Sequence, residues 1–415
     1  MKIKNVLSLE ILDSRGNPTV RTILTLDDGS THTSSVPSGA STGSHEAVEL
    51  RDKDESRYQG KGVLQAVMHV NTVIKNAVVG REANPTEIDR ILIDLDNTEN
   101  KSKLGANAIL SVSMATTRAA AYTENKPLWQ YFSESYFTSS TPSFPRLMVN
   151  IINGGVHANW NYDIQEFMIV PNTTTPSKSI RIASEIYHNL GMLLKEKKLS
   201  PLVGDEGGYS PSLETNTEPF ELIIEAALKS KYENIKDFRL SIDAAANEFF
   251  DNGRYTLKKE NQELTADELM NLYKDLHAKY NLLSFEDAFS EDDWSSFIQF
   301  EKMAEKFQFI TIGDDLFTSN PVRIARGIKE KAANGVLIKL NQIGTVSQTA
   351  EAINIAKKAN WAVAVSHRSG ETEDTFIADL AYSCSADFLK SGSMSRSERL
   401  AKYNRLLEIE TEISK

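Results

Sequence analysis

Six short apolar runs in the second half of this 415-residue chain each finish on a side chain that titrates or binds metal. They are RLSID at Asp243, LLSFE at Glu286, FITIGD at Asp314, GVLIK at Lys339, AVAVSH at His367 and DFLK at Lys390. Carboxylates gathered in one partly dry place repel one another unless a cation sits among them. Hard oxygen donors without a thiolate or a histidine cluster favour magnesium, with its remaining positions open to water or substrate. A lysine near such an ion loses hydration and meets a like charge, and both lower its pKa towards that of a general base at neutral pH. Lys339 and Lys390 are the lysines so placed. Taken singly, each acid reads better as half of a salt bridge, and each lysine reads equally well as a structural ion pair. The series of endings argues for a shared site.

Two other segments add acid and anion-binding groups. GDEGGY sets Asp205 and Glu206 beside Gly207 and Gly208, whose missing side chains let the backbone turn close to a ligand. SHRSGETED offers His367, Arg368 and Ser369, and a guanidinium suits two-pronged binding of phosphate. PSGASTG, residues 37–43, is a small-residue loop able to close over an anion, although alone it reads as a turn. Neither a Walker loop nor a GxGxxG fingerprint is present.

The six endings lie roughly 25 to 45 residues apart, about the length of one βα unit. In an α/β barrel, catalytic groups project from the C-terminal ends of different strands towards one mouth. A doubly wound sheet with capping charges gives the same pattern and stays open as an alternative. The first part of the chain reads as a separate α+β unit. LSLEIL and VRTILTL alternate with period two around SRGNPT, DDGS marks a further hairpin turn, and Val63, Val67, Val70, Ile74 and Ala77 share one helical face. SESYFTSSTPSFP lacks periodicity and is rich in Ser, Thr and Pro, which places the linker there. The expected division is residues 1–135, a linker at 136–145, and a barrel at 146–415.

Composition narrows the classes further. With 40% hydrophobic and 25% charged residues the chain is ordinary for a globular protein, and no run approaches the roughly 20 apolar residues of a membrane helix. A net charge of −11 argues against a dedicated nucleic-acid binder, so an anionic ligand needs a local cationic site or a metal. The N-terminus alternates apolar and polar residues and reads as a strand, not a secretory signal. Cys384 is the only cysteine, which excludes an internal disulfide and a thiolate cluster; in its apolar segment it reads as a buried, inert thiol. A reducing cytoplasm fits.

Together these segments resemble the enolase family over nearly the whole chain. The matching strings include SRGNPT, PSGASTG, DLDNTENKSKLGANAILSVS, NIINGG, QEFMIVP, GDEGGY, SFEDAF, GDDLF, IKLNQIGT, SHRSGETED and SGSMSRSERLAKYN. The resemblance implies an N-terminal α+β domain followed by an enolase-type (β/α)8-like barrel with a ββαα start and one antiparallel strand. It implies reversible dehydration of 2-phosphoglycerate to phosphoenolpyruvate, with two magnesium ions per active site, the second arriving with substrate. Asp243, Glu286 and Asp314 match the ligands of the tighter ion, and Ser41 matches the loop residue that completes the second. Lys339 matches the base at C2, and Glu206 the acid that helps the C3 hydroxyl leave, for which it must carry a proton. Lys390 and Gln165 match groups near the substrate carboxylate, Arg368 and Ser369 phosphate contacts, and His157 and Glu166 accessory residues around Glu206. A homodimer, or an octamer as a ring of dimers, is implied as well. The resemblance also raises a binding role of another class, towards plasminogen through a terminal lysine such as Lys415, with a cell-surface or secreted pool.

The sequence departs from the family pattern in places. Val156, Trp160 and Tyr162 stand in the loop before Gln165 where small or polar residues are usual, and are expected on its outer face. Asn247 and Phe250 replace the usual Ser and Tyr. Arg21 and Glu408 reverse the signs of a pair that joins subunits in the family, and are expected to form a charge-swapped pair across a dimer.

Overall fold

The structure, a computed structural model, describes residues 1–39 and 43–414. Ser41 and Lys415 lie outside the described residues. The N-terminal unit opens with an antiparallel sheet of β1 (Ile3–Leu12), β2 (Pro18–Leu26) and β3 (Thr31–Ser35). The β1–β2 turn is held by the Asp13 carboxylate, which accepts the amides of Arg15 at 2.8 Å and Asn17 at 2.9 Å, while Gly16 takes a φ of 75°. Period-two alternation buries Val6 and Ser8 on β1 and Val20, Thr22 and Leu24 on β2, and a register irregularity between Ile3 and Asn5 lets Ile3 be buried as well. The helical face read from the sequence forms α1 (Leu64–His69), runs through a π-type turn at Val70–Ile74 into α2 (Lys75–Val78), and is followed by α3 (Pro85–Asp96). The last is capped by Asn84, whose side chain accepts the Glu87 amide at 3.2 Å. The Ala- and Ser-rich α4 (Ala106–Thr123) is buried along almost its whole length, because small side chains let the sheet approach one face and neighbouring helices the other.

The expected linker begins as helix: α5 (Leu128–Tyr136) takes in Ser133 to Tyr136. Tertiary packing overrides its weak local pattern, since Phe132 stands edge-on to Phe376 with centroids 5.2 Å apart.

The barrel then runs β4 (Arg146–Asn153), β5 (Glu166–Pro171), α6 (Pro176–Glu196), α7 (Glu218–Lys229) and β6 (Phe238–Asp243). A small sheet of β7 (Phe250–Asp251), β8 (Arg254–Leu257) and β9 (Gln262–Leu264) interrupts it. It resumes with α8 (Ala266–Tyr280), β10 (Ser284–Glu286), α9 (Trp294–Phe307), β11 (Ile310–Gly313), α10 (Pro321–Glu330), β12 (Gly335–Ile338), α11 (Leu340–Ile343), α12 (Val346–Lys358), β13 (Ala362–Ser366), α13 (Phe376–Ser383), β14 (Phe388–Lys390) and α14 (Ser397–Ile413). Eight strands close in the order β10-β11-β12-β13-β14-β4-β5-β6, which removes the doubly wound alternative. β5 pairs antiparallel with both β4 and β6, while the remaining pairs are parallel. The ββαα opening is therefore present.

Alternation along the strands explains where the site must be. Met148, Met168, Leu283, Ile312, Leu337, Ala364 and Phe388 form their own buried cluster, separate from the layer between strands and helices, and fill the barrel centre. Side chains two residues apart share a face of a strand. Two residues on from Ile312, Leu337 and Phe388 stand Asp314, Lys339 and Lys390. Ser241 and Ser284, joined by their hydroxyls, likewise precede Asp243 and Glu286. For the reversed β5 the count runs backwards, from Met168 to Glu166. The hydrophobic plug thus ends in a polar ring at one mouth.

One buried acid lies away from this mouth. Glu301 on α9 accepts the Thr311 hydroxyl, and burial lifts its carboxyl to about 7. Its folded pKa exceeds the unfolded value of about 4.3, so the folded state binds the extra proton. That stabilisation is complete below the unfolded value and is lost as pH rises through about 7. Glu301→Gln keeps an acceptor for Thr311 and should flatten the fall of melting temperature between pH 5 and 8 (roughly the interval between the two pKa values); an unchanged slope would refute this. Cys384 is buried and its thiol is pushed up to about 12, as befits an inert side chain. No helix among the described residues is long and apolar enough to cross a membrane.

Candidate active site

The mouth opens on a cavity lined by His157, Gln165, Glu166, Glu206, Asp243, Asp287, Asp314, Asp315, Lys339, His367, Arg368, Ser369 and Lys390 among others. All of the predicted catalytic side chains among the described residues reach it, from different directions. Strand ends supply Asp243, Asp314, Lys339 and Lys390. The reversed β5 supplies Gln165 and Glu166 from its beginning, because its N-terminal end lies where its neighbours finish; Glu166 stands opposite Asp243 in register. Glu206 comes from the long α6–α7 connection, and His157 from the loop between β4 and β5.

Lys390 is the hub of one half. Its Nζ lies 2.8 Å from Glu286 Oε1, 3.1 Å from Glu166 Oε2 and 3.3 Å from Asp243 Oδ2. Burial alone would release its proton, but these carboxylates outweigh burial and hold the ammonium well above the usual lysine value. Lys339 belongs to the other half, where its Nζ is paired with Asp314 Oδ2 and Gln342 Nε2 donates to Asp314 Oδ1 at 2.8 Å. Here too burial favours the neutral amine and the Asp314 charge overcomes it, so the Lys339 pKa is raised. The lowered value expected from the sequence is that of a lysine beside a divalent cation; here the nearest charge is an anion, and a cation taking up the Asp314 charge removes what holds the proton.

The acids differ among themselves in an informative way. Burial raises Glu166 well above the carboxylate range, with Glu206 as a further cause. Burial also acts to raise Glu206, but the charges of Arg399 and Lys390, with His157 and His367 facing it, bring it well below that range. Glu166 is thus the carboxyl held high and Glu206 the one held low, so Glu206 must gain a proton before it can serve as the expected acid. Sequence could not supply this, because the histidines and Arg399 that surround Glu206 come from distant segments. Glu206 Oε1 is 3.7 Å from His157 Nε2 and 3.5 Å from His367 Nε2, and its Oε2 accepts Asn150 Nδ2 at 2.9 Å.

Metal-binding capacity is present, with a different grouping from the one expected. Two sets bring ligand atoms within 4.8 Å of one another: His157, Glu166 and Glu206, and Asp287, Asp314 and Asp315. Asp314 alone of the predicted triad belongs to either. Asp243 and Glu286 instead flank Lys390, and Gln165 Nε2 lies 3.3 Å from Asp243 Oδ2. Among the described residues Glu286 Oε2 is buried without a hydrogen-bond partner. An orphaned carboxylate oxygen amid hard oxygen donors suits a magnesium-type ion. Asp287 does not face only the cavity, since its oxygens accept the amides of Asp314 and Asp315 at 2.8 Å each and so fix that turn.

On the anion-binding side, Arg368 donates to Glu46 Oε2 at 2.8 Å and to Asn341 Oδ1 at 3.1 Å. Ser369 lines the cavity beside it. Glu46, Asn150, Gln342 and Arg399 were not singled out from the sequence. Glu46 closely follows the PSGASTG loop, and Arg399 lies within SGSMSRSERLAKYN, so position beside a recognised string was the available signal.

The aromatic residues of the β4–β5 loop also divide. Val156 is exposed and Trp160 half-buried beneath Lys258, whose Nζ sits 5.3 Å from the ring centre. Tyr162 is not on the outer face as expected: it is buried, packs edge-on against Phe167, and donates to the Asn153 carbonyl at 2.5 Å. Its ring is large enough to fill the core beneath the loop. Asp163 accepts the Lys258 amide at 2.9 Å, tying the loop to the small β7–β9 sheet. Asn247 accepts the Ser290 hydroxyl at 2.9 Å. Arg21 pairs with Glu373 and Glu408 with Arg405 at 3.0 Å, so each has a partner within its own chain.

A capped α/β barrel with facing ammonium and carboxylate groups at one mouth, able to accept a metal among them, defines a barrel enzyme of acid–base chemistry. Residues 3–132 match the family "Enolase, N-terminal domain" and residues 141–415 match "Enolase, C-terminal TIM barrel domain". The chain belongs to the enolase family, whose members are metal-dependent lyases.

Proposed function

We propose that this chain interconverts 2-phospho-D-glycerate and phosphoenolpyruvate plus water, as enolases do in glycolysis and gluconeogenesis, in the cytoplasm. The observation that carries the reading is the convergence on one cavity of Lys339, from a barrel strand end, and Glu206, from a loop outside the barrel. Elimination needs a base at C2 and a separate proton-handling group at C3, and these two arrive from different walls. Lys339, once relieved of its proton, takes the C2 hydrogen. Glu206, with His157 and Glu166 beside it and once protonated, gives the C3 oxygen the proton that lets the hydroxyl leave as water. Lys390 and Gln165 hold the substrate carboxylate, where negative charge grows, and fixed charges placed where charge develops are usually the largest contribution to catalysis. Arg368 and Ser369 hold the phosphate. Asp243, Glu286 and Asp314 would hold one magnesium ion, and Ser41 would help hold a second that comes with substrate. Bound there, magnesium supplies neutralisation of the carboxylate charge. Of these donors Glu286, with its partnerless oxygen, gives the strongest support.

The test is phosphoenolpyruvate formation by the purified chain, followed by ultraviolet absorbance. It should require added magnesium, vanish with a chelator and return on restoring the ion. Turnover that persists after chelation, or none with magnesium present, would sink the proposal.

We further propose that the chain is a homodimer. Leu7 and Leu9 stand half exposed on the outer face of β1, where an aliphatic surface gains by association. Sedimentation should give twice the 46.2 kDa chain mass, and Leu9→Glu should shift the balance towards monomer. A monomeric wild type at micromolar concentration would rule this out.

A further inference from the structure

Arg399 is the largest of the fully buried side chains, an arginine with no exposed surface. Burying a guanidinium is costly unless its donors are matched; four contacts meet its two terminal nitrogens, while Nε is buried without a hydrogen-bond partner among the described residues. NH1 lies 2.5 Å from His367 Nδ1 and 2.6 Å from the Arg368 carbonyl; NH2 lies 2.7 Å from the Ser369 carbonyl and 3.2 Å from that of Asp205. One planar group from α14 therefore joins the backbone beyond β13, which carries Arg368 and Ser369, to the connection that carries Glu206. Glu398 Oε1 approaches its Nε only to 3.5 Å, so no close carboxylate dictates where the guanidinium points.

The contact with His367 has a chemical consequence. A guanidinium has donors and no acceptor, so the imidazole nitrogen facing it must be the unprotonated one. Nδ1 is that nitrogen, which leaves the proton of a neutral ring on Nε2. Nε2 in turn faces Glu206 Oε1 at 3.5 Å. We propose that Arg399 is a positioning residue: it fixes His367 in the tautomer whose Nε2–H is aimed at Glu206, and it docks the Glu206 connection against the segment bearing Arg368 and Ser369. Burial, against the pull of Glu206 and alongside Arg399, Lys390 and Lys339, keeps the His367 ring neutral, in agreement with that geometry. A neutral donor at Glu206 orients the carboxylate without adding a mobile proton to the mouth.

This rests on the reading of Glu206 as the group that handles the C3 proton, and the experiment separates the two. Ring nitrogens of the full chain, made with isotope-labelled histidine, are observed by long-range proton–nitrogen correlation NMR. The His367→Gln spectrum assigns the signal. In the wild type His367 should carry its proton on Nε2. Arg399→Met removes every donor at similar length and should yield a mixed or Nδ1-protonated ring. Turnover should fall on the order of 10²-fold, within the range for a disturbed acid–base group, while KM changes less than about threefold. Arg399→Lys keeps one donor and should restore the tautomer and part of the turnover. A wild-type ring protonated on Nδ1 overturns the proposal. So does a folded Arg399→Met protein with unchanged tautomer, whether or not its activity falls, because a loss without the tautomer change marks a purely structural tie. Should Arg399→Met fail to fold, the wild-type spectrum and Arg399→Lys decide. An inactive wild type with the Nε2 proton in place would remove the dehydration reading and leave this assignment standing.

Discussion

Replacing Lys339 with alanine should lower turnover by at least about 10³-fold, within the range that one positioned base contributes, with little change in fold. The side chain ends a barrel strand, reaches the central cavity and makes its ion pair with Asp314 alone among the described acids. Its loss leaves Asp314 with the Gln342 amide at 2.8 Å, so the acid keeps a partner and the strand end need not rearrange. Two measurements check this. Steady-state formation of phosphoenolpyruvate should fall, and exchange of the C2 hydrogen of 2-phosphoglycerate with deuterated water should fall by a similar factor. A variant that still exchanges C2 at the wild-type rate would show that another group is the base. The pH dependence has a stated sign. The Asp314 charge raises the Lys339 pKa, so without added cation the amine form grows only on the alkaline side of the ordinary lysine value. Titration with magnesium should therefore move the acid limb of the rate profile to lower pH, and an immobile limb would detach Lys339 from that limb.

Glu206→Gln should split the same two measurements. Glutamine preserves the shape and can still accept from Asn150, which lies 2.9 Å from Oε2, but it cannot carry a proton to the C3 oxygen. Net dehydration should drop about 10²- to 10⁴-fold, whereas C2 exchange, which needs only the Lys339 side of the cavity, should survive within about tenfold. Equal loss of both would mean that Glu206 acts before the C2 proton departs and would overturn the division of labour. Its lowered pKa bears on the result. With the Glu206 carboxyl held low and that of Glu166 held high, Glu206 must gain its working proton from a neighbour before it can pass it to the C3 oxygen.

Sequence made the polar ring legible because it is written in strand periodicity. Asp314, Lys339 and Lys390 follow plug residues by two positions, and an apolar run ending in a charge shows this without any coordinates. The linker was harder, since Ser133 to Tyr136 is helical only through contacts with a distant helix. Protonation was hardest. The direction of the Lys339 and Glu206 pKa values is set by charges from other strands and loops, which no local pattern records. Tyr162 was misplaced for a related reason: a bulky residue in a loop looks exposed until the hole beneath it is known. Arg399 gave no sign beyond its neighbours, because its work is done at carbonyls and a ring nitrogen contributed by other segments.

The reversed β5 gives the His157 loop an unusual kind of attachment. An ordinary barrel loop leaves a strand and ends on an outer helix, so its two feet are far apart and drift with that helix. Here both feet are rungs of one ladder, Asn153 against Glu166, with neighbouring strands about 5 Å apart. The segment is thus a self-contained cassette on a fixed socket. Its tip can be shortened, lengthened or exchanged for that of a relative while the frame stays still, which makes it the natural place to retune this mouth for a differently shaped acid.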